Sequence, residues 1–173
     1  LLDMSELQTV ARNDRIEIHS LIEEVLTDLE PLAQEKKVEL IRKSQEVREK
    51  ADEVLFLTGS DILIYRMLYN LVENAIKYNR TDGTVTVSAK REKNEVVLTV
   101  SDTGNGIDEA FREQIFEPFF RIDKSRSREL GGVGLGLAMV REVVQVHDGT
   151  IEVYTNKHKG TTFEIRLPQS HWL

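Results

Sequence analysis

Asn70, Asn74, Lys77 and Tyr78 recur at i, i+4, i+7 and i+8 within SDILIYRMLYNLVENAIKYN (60–79), so on a helix they share one side. Two carboxamides and an ammonium group one turn apart can order a hydrated metal ion and neutralise phosphate oxygens; the same residues also suit the wet face of an ordinary helix. Further on, SDTGNGI ends a strand-like run in a carboxylate and two glycines. Asp102 accepts but cannot donate when ionised, so it can take a hydrogen bond from an exocyclic amine such as adenine's, while Gly104 and Gly106 let the loop approach a planar ring. A glycine-rich turn capped by Asp102 is the plainer alternative. Finally, GGVGLGLA (131–138) sets four glycines in six positions ahead of a helix-like segment: a cradle of backbone N–H groups for phosphate, or a flexible turn. Neither common phosphate loop fits it. Leu137 follows Gly136 where a P-loop needs lysine, and a charged irregular segment, not a strand, precedes Gly131. Within that segment RIDKSRSR (121–128) is either solvated surface or an anion contact.

The elements that must position these groups alternate irregularly between strand and helix. LLDMSELQTVAR has apolar residues at helical spacing and reads as the end of a helix that begins before residue 1. IEIH (16–19) predicts a short strand, with Ser20 capping a helix over SLIEEVLTDLEPLAQEKK that Pro31 can kink. VELIRKS and EVLFLTG predict two more strands, with QEVREKAD as a charged loop or a turn of helix between them. The 60–79 helix is opened by Ser60 or Asp61 and has a core side of Leu68, Leu71, Val72, Ala75 and Ile76. TVTVSAKR and EVVLTVSD alternate on either side of a hairpin turn. DEAFREQIF predicts a short helix and EPFFRIDKSRSREL has no clean period. GLGLAMVREVVQVHDG predicts a helix closed by Gly149, before the strand pair GTIEVYTN and GTTFEIRLP. Strand pairs joined by hairpins favour α+β over a doubly wound parallel sheet.

Composition narrows the function. At 173 residues the chain has room for one well-packed domain, and no apolar run approaches the roughly 20 residues of a membrane span. With no cysteine, thiolate chemistry and Cys-ligated metals are excluded. The four histidines, His19, His147, His158 and His171, show no metal-ligand spacing. A net charge of −7 argues against a nucleic-acid partner.

NLVENAIKYN, DTGNGI, IFEPFFRID, GGVGLGLA and GTTFEIRLP resemble, in order and spacing, the N, G1, F, G2 and G3 boxes of the histidine-kinase ATP-binding domain. That domain is a member of the gyrase and heat-shock-chaperone ATPase superfamily. The resemblance covers about residues 15–168. Residues 1–12 resemble the end of the second helix of the dimerisation and phosphoacceptor domain, leaving 13–173 as the ATP-binding catalytic domain. The resemblance implies a two-layer α/β sandwich: a mixed, mostly antiparallel sheet covered on one face by three helices, with a mobile ATP lid.

Carried over by position, the resemblance implies that Asn74 coordinates Mg2+, with Asn70 supporting the ion or the phosphates, while Lys77 contacts phosphate. Tyr78 and Ile107 would border the nucleotide. Asp102 would take the adenine amine, helped by Gly104, Gly106 and Thr161. Arg121, Lys124 and Arg126 would lean over the phosphates from the lid, and Gly132, Gly134, Leu135, Gly136 and Leu137 would offer backbone donors at its far hinge. Phe116, Phe119 and Phe120 would couple the lid to the core, unless they are plain core packing. Residues 118–133 are expected to be poorly ordered or displaced when the site is empty.

Two departures shape the expected mechanism. Where the superfamily's ATP-hydrolysing machines carry a water-activating glutamate, four residues before the metal-binding asparagine, this chain has Asn70, which cannot take a proton. Glu73 lies about 100° around the helix from Asn74 and is not assigned as a base. The expected chemistry is therefore phosphoryl transfer to a protein side chain, which needs positioning and charge neutralisation above all. None of the histidines matches the family's phosphoacceptor; His19 is followed by Ser20. The expectation is a fragment that binds ATP and Mg2+ without phosphorylating itself. Its parent would be a membrane-anchored bacterial homodimer of a two-component system, with this part cytoplasmic and its partners a phosphoacceptor domain and a response regulator. The fragment alone would be monomeric. A degenerate docking module and an anti-sigma-factor-type serine kinase share the fold and stay open. Val133 stands where the family often has a hydroxyl, and Asp148 where it often has a small residue.

Overall fold

A computed structural model describes residues 4–43, 54–121 and 136–169. Seven strands and three α-helices occur among them, with short 3-10 turns. β1 (Asp14–Glu17) and β3 (Phe56–Gly59) form an antiparallel ribbon. The main sheet runs β2 (Glu39–Arg42), β4 (Thr84–Glu92), β5 (Glu95–Asp102), β7 (Thr161–Pro168), β6 (Thr150–Thr155), in that spatial order. Among the described strands of this sheet only the β2–β4 pair is parallel. Helices α1 (Ile18–Lys36), α2 (Asp61–Lys77) and α3 (Gly136–Val146) complete the α+β sandwich, with α2 touching both α1 and α3.

Strand alternation builds the core. Val87, Val100 and Phe163 lie side by side across three strands, as do Ala89, Leu98 and Ile165, and all six are buried. Against them α2 places Leu68, Leu71, Val72, Ala75 and Ile76, the side expected from its spacing. Ser60 opens α2, its hydroxyl accepting the Leu63 N–H at 3.3 Å.

Several local expectations are corrected. The first strand ends at Glu17, and the cap of α1 is Glu17, not Ser20: its carboxylate accepts the N–H groups of both His19 and Ser20. The helix therefore starts early enough to bury Ile18. Pro31 sits inside α1 without ending it. DEAFREQIF forms two 3-10 turns, Glu109–Phe111 and Gln114–Phe116, which aim Phe111 and Phe116 separately at the core. Of the helix expected from Gly134, the part from Gly136 is described, and Gly134 and Leu135 lie outside the described residues. Its left-handed exit residue is Asp148 (φ 56°), not Gly149. Gly149 is needed for another reason: a Cβ there would come within 2.4 Å of the Arg166 carbonyl. At the N-terminal end Met4–Thr9 is a 3-10 helix whose buried Leu7 lies on the α3 side, where an α-helical end was expected. QEVREKAD (45–52) lies outside the described residues.

Candidate functional site

The period of two that builds the core also places the key carboxylate. Val96, Leu98 and Val100 face the helices, so Asp102, two residues further along β5, faces them too, opposite Val85. Its Oδ1 accepts the N–H of Gly104 at 2.8 Å and of Thr161 at 3.1 Å. Among the described residues Oδ2 accepts no hydrogen bond. Burial pushes the carboxyl above its ordinary range, and the two backbone N–H groups pull against that shift. The arrangement is a fixed acceptor with one oxygen spent on orientation and the other left for a ligand donor.

Glycines let three segments close around this point. A Cβ on Gly104 would come within 2.7 Å of the Tyr78 carbonyl, at the C-terminal end of α2. Gly106, at φ +73°, passes so close to the β6–β7 turn that a Cβ would sit 2.7 Å from the Lys159 carbonyl. Ile107 packs against the core beyond it. Close approach of one backbone segment to another thus accounts for both glycines in the structure. Asp102 does cap its turn, so the plainer alternative is satisfied along with an open Oδ2.

The polar side of α2 begins beside that point and runs toward α3. Asn70 donates its side-chain N–H to the Arg66 carbonyl at 2.8 Å. Its Oδ1 faces the start of α3, 3.2 Å from where a Gly136 Cβ would stand. Leu137 packs on the core next to it. Asn74, one turn on, has no side-chain hydrogen bond among the described residues. Lys77 is held 3.4 Å from Glu73 and both are only partly exposed, so Glu73 is engaged as a counter-ion. Tyr78 caps the helix and is exposed.

The three F-box aromatics divide. Phe116 is buried, edge-on to Phe163 with ring centroids 6.3 Å apart. Phe120 is partly buried, 5.9 Å from Phe111. Phe119 is 70% exposed in a left-handed backbone conformation (φ 65°). Arg121, partly exposed, makes no hydrogen bond or ion pair among the described residues. Lys124, Arg126, Gly132, Val133, Gly134 and Leu135, and with them most of the expected lid, lie outside the described residues.

A carboxylate behind glycines at one end, asparagines and a lysine along a helix, and a glycine helix start opposite is the layout the sequence boxes implied. A family profile described as "Histidine kinase-, DNA gyrase B-, and HSP90-like ATPase" matches residues 59–171. The chain belongs to this family. Within the family its relatives are sensor histidine kinases. It is 36% identical over 171 residues to the sensor-like histidine kinase SenX3 of Mycobacterium tuberculosis, covering 97% of this chain and 40% of that protein. The chain thus spans about two fifths of the length of that relative. The fold matches the nucleotide-free catalytic domain of histidine kinase ThkA, with a TM-score of 0.77 at 24% identity over 92% of this chain and 97% of that one. It also matches full-length ShkA in complex with AMPPNP, with a TM-score of 0.76 at 25% identity over 95% of this chain and 33% of that one.

Around this candidate site, sequence reasoning missed the residues that hold the loops. Asn79 accepts from the Thr103 hydroxyl at 3.1 Å and donates to the Thr84 carbonyl at 3.0 Å, tying the exit of α2 to β4 and β5. Asn156 donates to the Asp102 carbonyl at 2.8 Å. Gly160 lies so close that a Cβ would come within 2.0 Å of that same carbonyl. The signal was present in N-K-H-K-G, an Asn-led turn closed by glycine. His147, seen in the sequence only as part of a variant helix end, is buried. Its Nε2 accepts the Ser60 N–H at 3.0 Å and its Nδ1 lies 2.8 Å from the Val143 carbonyl, joining α3 to the cap of α2.

Proposed function

We propose that this chain is the catalytic ATP-binding module of a two-component sensor histidine kinase. The observation that carries the reading is the Asp102 carboxylate, locked through Oδ1 and open at Oδ2. An adenine exocyclic amine is the donor such an acceptor suits; guanine offers an acceptor at the equivalent position. Thr161 and Gly106 support the base, and Tyr78 and Ile107 border it.

The phosphates then run along α2 toward α3. Asn74 offers a carboxamide oxygen, and Asn70 a second near Gly136. No group of three acidic or histidine side chains capable of holding a metal occurs among the described residues. Neutral oxygens plus phosphate suit Mg2+, a hard ion that keeps waters and binds chiefly through substrate oxygens. The ion, when bound, neutralises charge on the transferred group. Lys77 exchanges Glu73 for phosphate; Arg121, Lys124 and Arg126 add positive charge, and Gly132, Gly134, Leu135, Gly136 and Leu137 supply backbone N–H groups. The bond from the γ-phosphorus to its bridging oxygen breaks, a bond to an acceptor imidazole nitrogen forms, and ADP leaves. Asn70 cannot activate water, which favours this transfer over hydrolysis.

The acceptor histidine belongs to a dimerisation domain to which residues 1–12 lead, with 13–173 as the ATP-binding unit. A response regulator then takes the phosphoryl group; a solved complex of ThkA with the response regulator TrrA, similar to this chain at 24% identity, supports that class of partner. Dimerisation, membrane anchoring and the cytoplasmic placement of this module follow from the sensor-kinase reading. Among the described residues no helix is long and apolar enough to cross a membrane.

The test is ATP titration with and without Mg2+ on the wild type, Asp102→Ala and Asn74→Ala. Asp102→Ala weakens binding in both conditions and Asn74→Ala chiefly with Mg2+. Unaltered binding in both variants refutes the assignment.

A further inference from the structure

The β5–β7 ladder ends at Ser101 opposite Thr162. One pair further on, Asp102 would face Thr161, and there side chains serve the backbone. The Thr161 N–H goes to the Asp102 carboxylate, 3.1 Å away. The Asp102 carbonyl is served by the Asn156 side-chain N–H at 2.8 Å. The same carboxamide holds its own turn together, its Oδ1 accepting the N–H groups of His158 at 3.0 Å and Gly160 at 3.1 Å. Its Nδ2 lies 3.3 Å from the Thr162 hydroxyl, which in turn bonds Ser101 at 2.8 Å. One side chain thus joins the β6–β7 turn to the end of the strand that carries the carboxylate. Gly160 allows it by leaving no Cβ between the two segments.

We propose that Asn156 is a positioning residue for base recognition: by satisfying the Asp102 carbonyl it leaves the Thr161 N–H to orient the carboxylate, and so fixes Oδ2 toward the base. This rests on the assignment of Asp102 to the adenine amine. Without the Asn156 donor the Asp102 carbonyl is left without this partner and competes for the Thr161 N–H, and a carboxylate held only by Gly104 can turn. An acceptor that turns no longer separates a base with an amine from a base with a carbonyl.

Two variants separate positioning from turn stability. Asn156→Asp keeps the acceptor for His158 and Gly160 and loses the donor; Asn156→Ala loses both and adds no charge. Binding of ATP, ADP and GTP is measured by calorimetry alongside thermal unfolding, with Asp102→Ala as reference. The loss of one neutral hydrogen bond weakens ATP and ADP alike by about three- to tenfold in both variants. The ATP-to-GTP preference falls with it and the effect of Mg2+ on binding stays as in the wild type. Asn156→Ala lowers the unfolding temperature by opening the turn and Asn156→Asp by setting a carboxylate oxygen against the Asp102 carbonyl, so positioning is read from the ATP-to-GTP ratio and turn stability from the unfolding temperature. Wild-type ATP affinity in Asn156→Asp, or equal losses for ATP and GTP, overturns the proposal while Asp102→Ala still weakens ATP. If Asp102→Ala leaves ATP affinity unchanged, the base assignment falls and this proposal with it.

Discussion

Asp102→Asn tests the base assignment with the least change of shape. The carboxamide oxygen can keep both bonds that hold the side chain, from Gly104 at 2.8 Å and Thr161 at 3.1 Å, so the loop keeps its geometry. The second position changes from an acceptor to an N–H donor and then faces the adenine amine donor to donor. A hydrogen bond to a charged acceptor contributes about 1.5–3 kcal/mol, so ATP affinity falls roughly 10- to 150-fold. GTP, whose base presents an acceptor there, loses little or gains. Stability moves the other way. Because burial raises the Asp102 carboxyl above its ordinary 3.8, the ionised form costs the empty fold stability that is absent below about pH 3.8 and grows as pH rises through the raised value. Asparagine carries no such cost, so the variant unfolds at the same or a higher temperature at pH 7, and the difference closes in acid. Calorimetry with ATP and GTP, with thermal unfolding between pH 4 and 8, reads both effects. Wild-type ATP affinity with an unchanged ATP-to-GTP ratio would refute the reasoning.

Asn74→Ala should bring the ATP dissociation constants with and without Mg2+ toward each other, while ADP without metal binds as before; fluorescence titration reads the ratio. Burial lowers the His147 imidazole below its ordinary 6.5; the hydrogen bond to the Val143 carbonyl opposes this, Arg12 pushes the same way as burial, and Asp148 opposes it. The unfolded chain therefore takes up a proton first, and stability should fall as pH drops below about 6.5. Asn in place of His147 should be less stable at pH 8 but lose much of that slope, as denaturant midpoints will show; an unchanged slope would mean His147 does not titrate in this way. Gly160→Ala drives a Cβ to 2.0 Å from the Asp102 carbonyl, backbone against backbone, so it should cost about 1–3 kcal/mol in urea unfolding and weaken ATP binding as well.

Much of this arrangement is legible in the sequence because it is periodic or local. The spacing of two in EVVLTVSD sets Val96, Leu98, Val100 and Asp102 on one face, and the spacing of three and four in α2 separates Leu68 and Leu71 from Asn70 and Asn74. Ser60 announces itself as a cap. What escapes is contact across the chain. Asn156 meets Asp102 over 54 positions and His147 meets Ser60 over 87, so no window along the sequence contains either bond. Competition between neighbours is also hidden: Glu17 outcompetes Ser20 for the start of α1 by offering two N–H groups one carboxylate, and Asp148 takes the left-handed position that composition assigns to Gly149.

The two ends of the site differ in physical kind, and that difference predicts where binding energy can be altered. The end proposed for the base is built from bonds already made: Asp102, Thr161, Gly104 and Asn156 are fixed to one another, and the cost of burying the carboxylate is met on folding, so a base bound there would meet an oriented acceptor. The end proposed for the phosphates has Asn74 without a side-chain hydrogen bond among the described residues, and Lys77 committed to Glu73 at 3.4 Å. Binding phosphate there means exchanging one anionic partner for another. Glu73→Gln removes the competitor, and since a partly exposed ion pair contributes about 0–1 kcal/mol, ATP should bind up to about fivefold more tightly. Adenosine, which does not reach Lys77, should bind as it does to the wild type. Equal changes for ATP and adenosine would mean that Glu73 acts on the whole site through the helix and not through the lysine it pairs with.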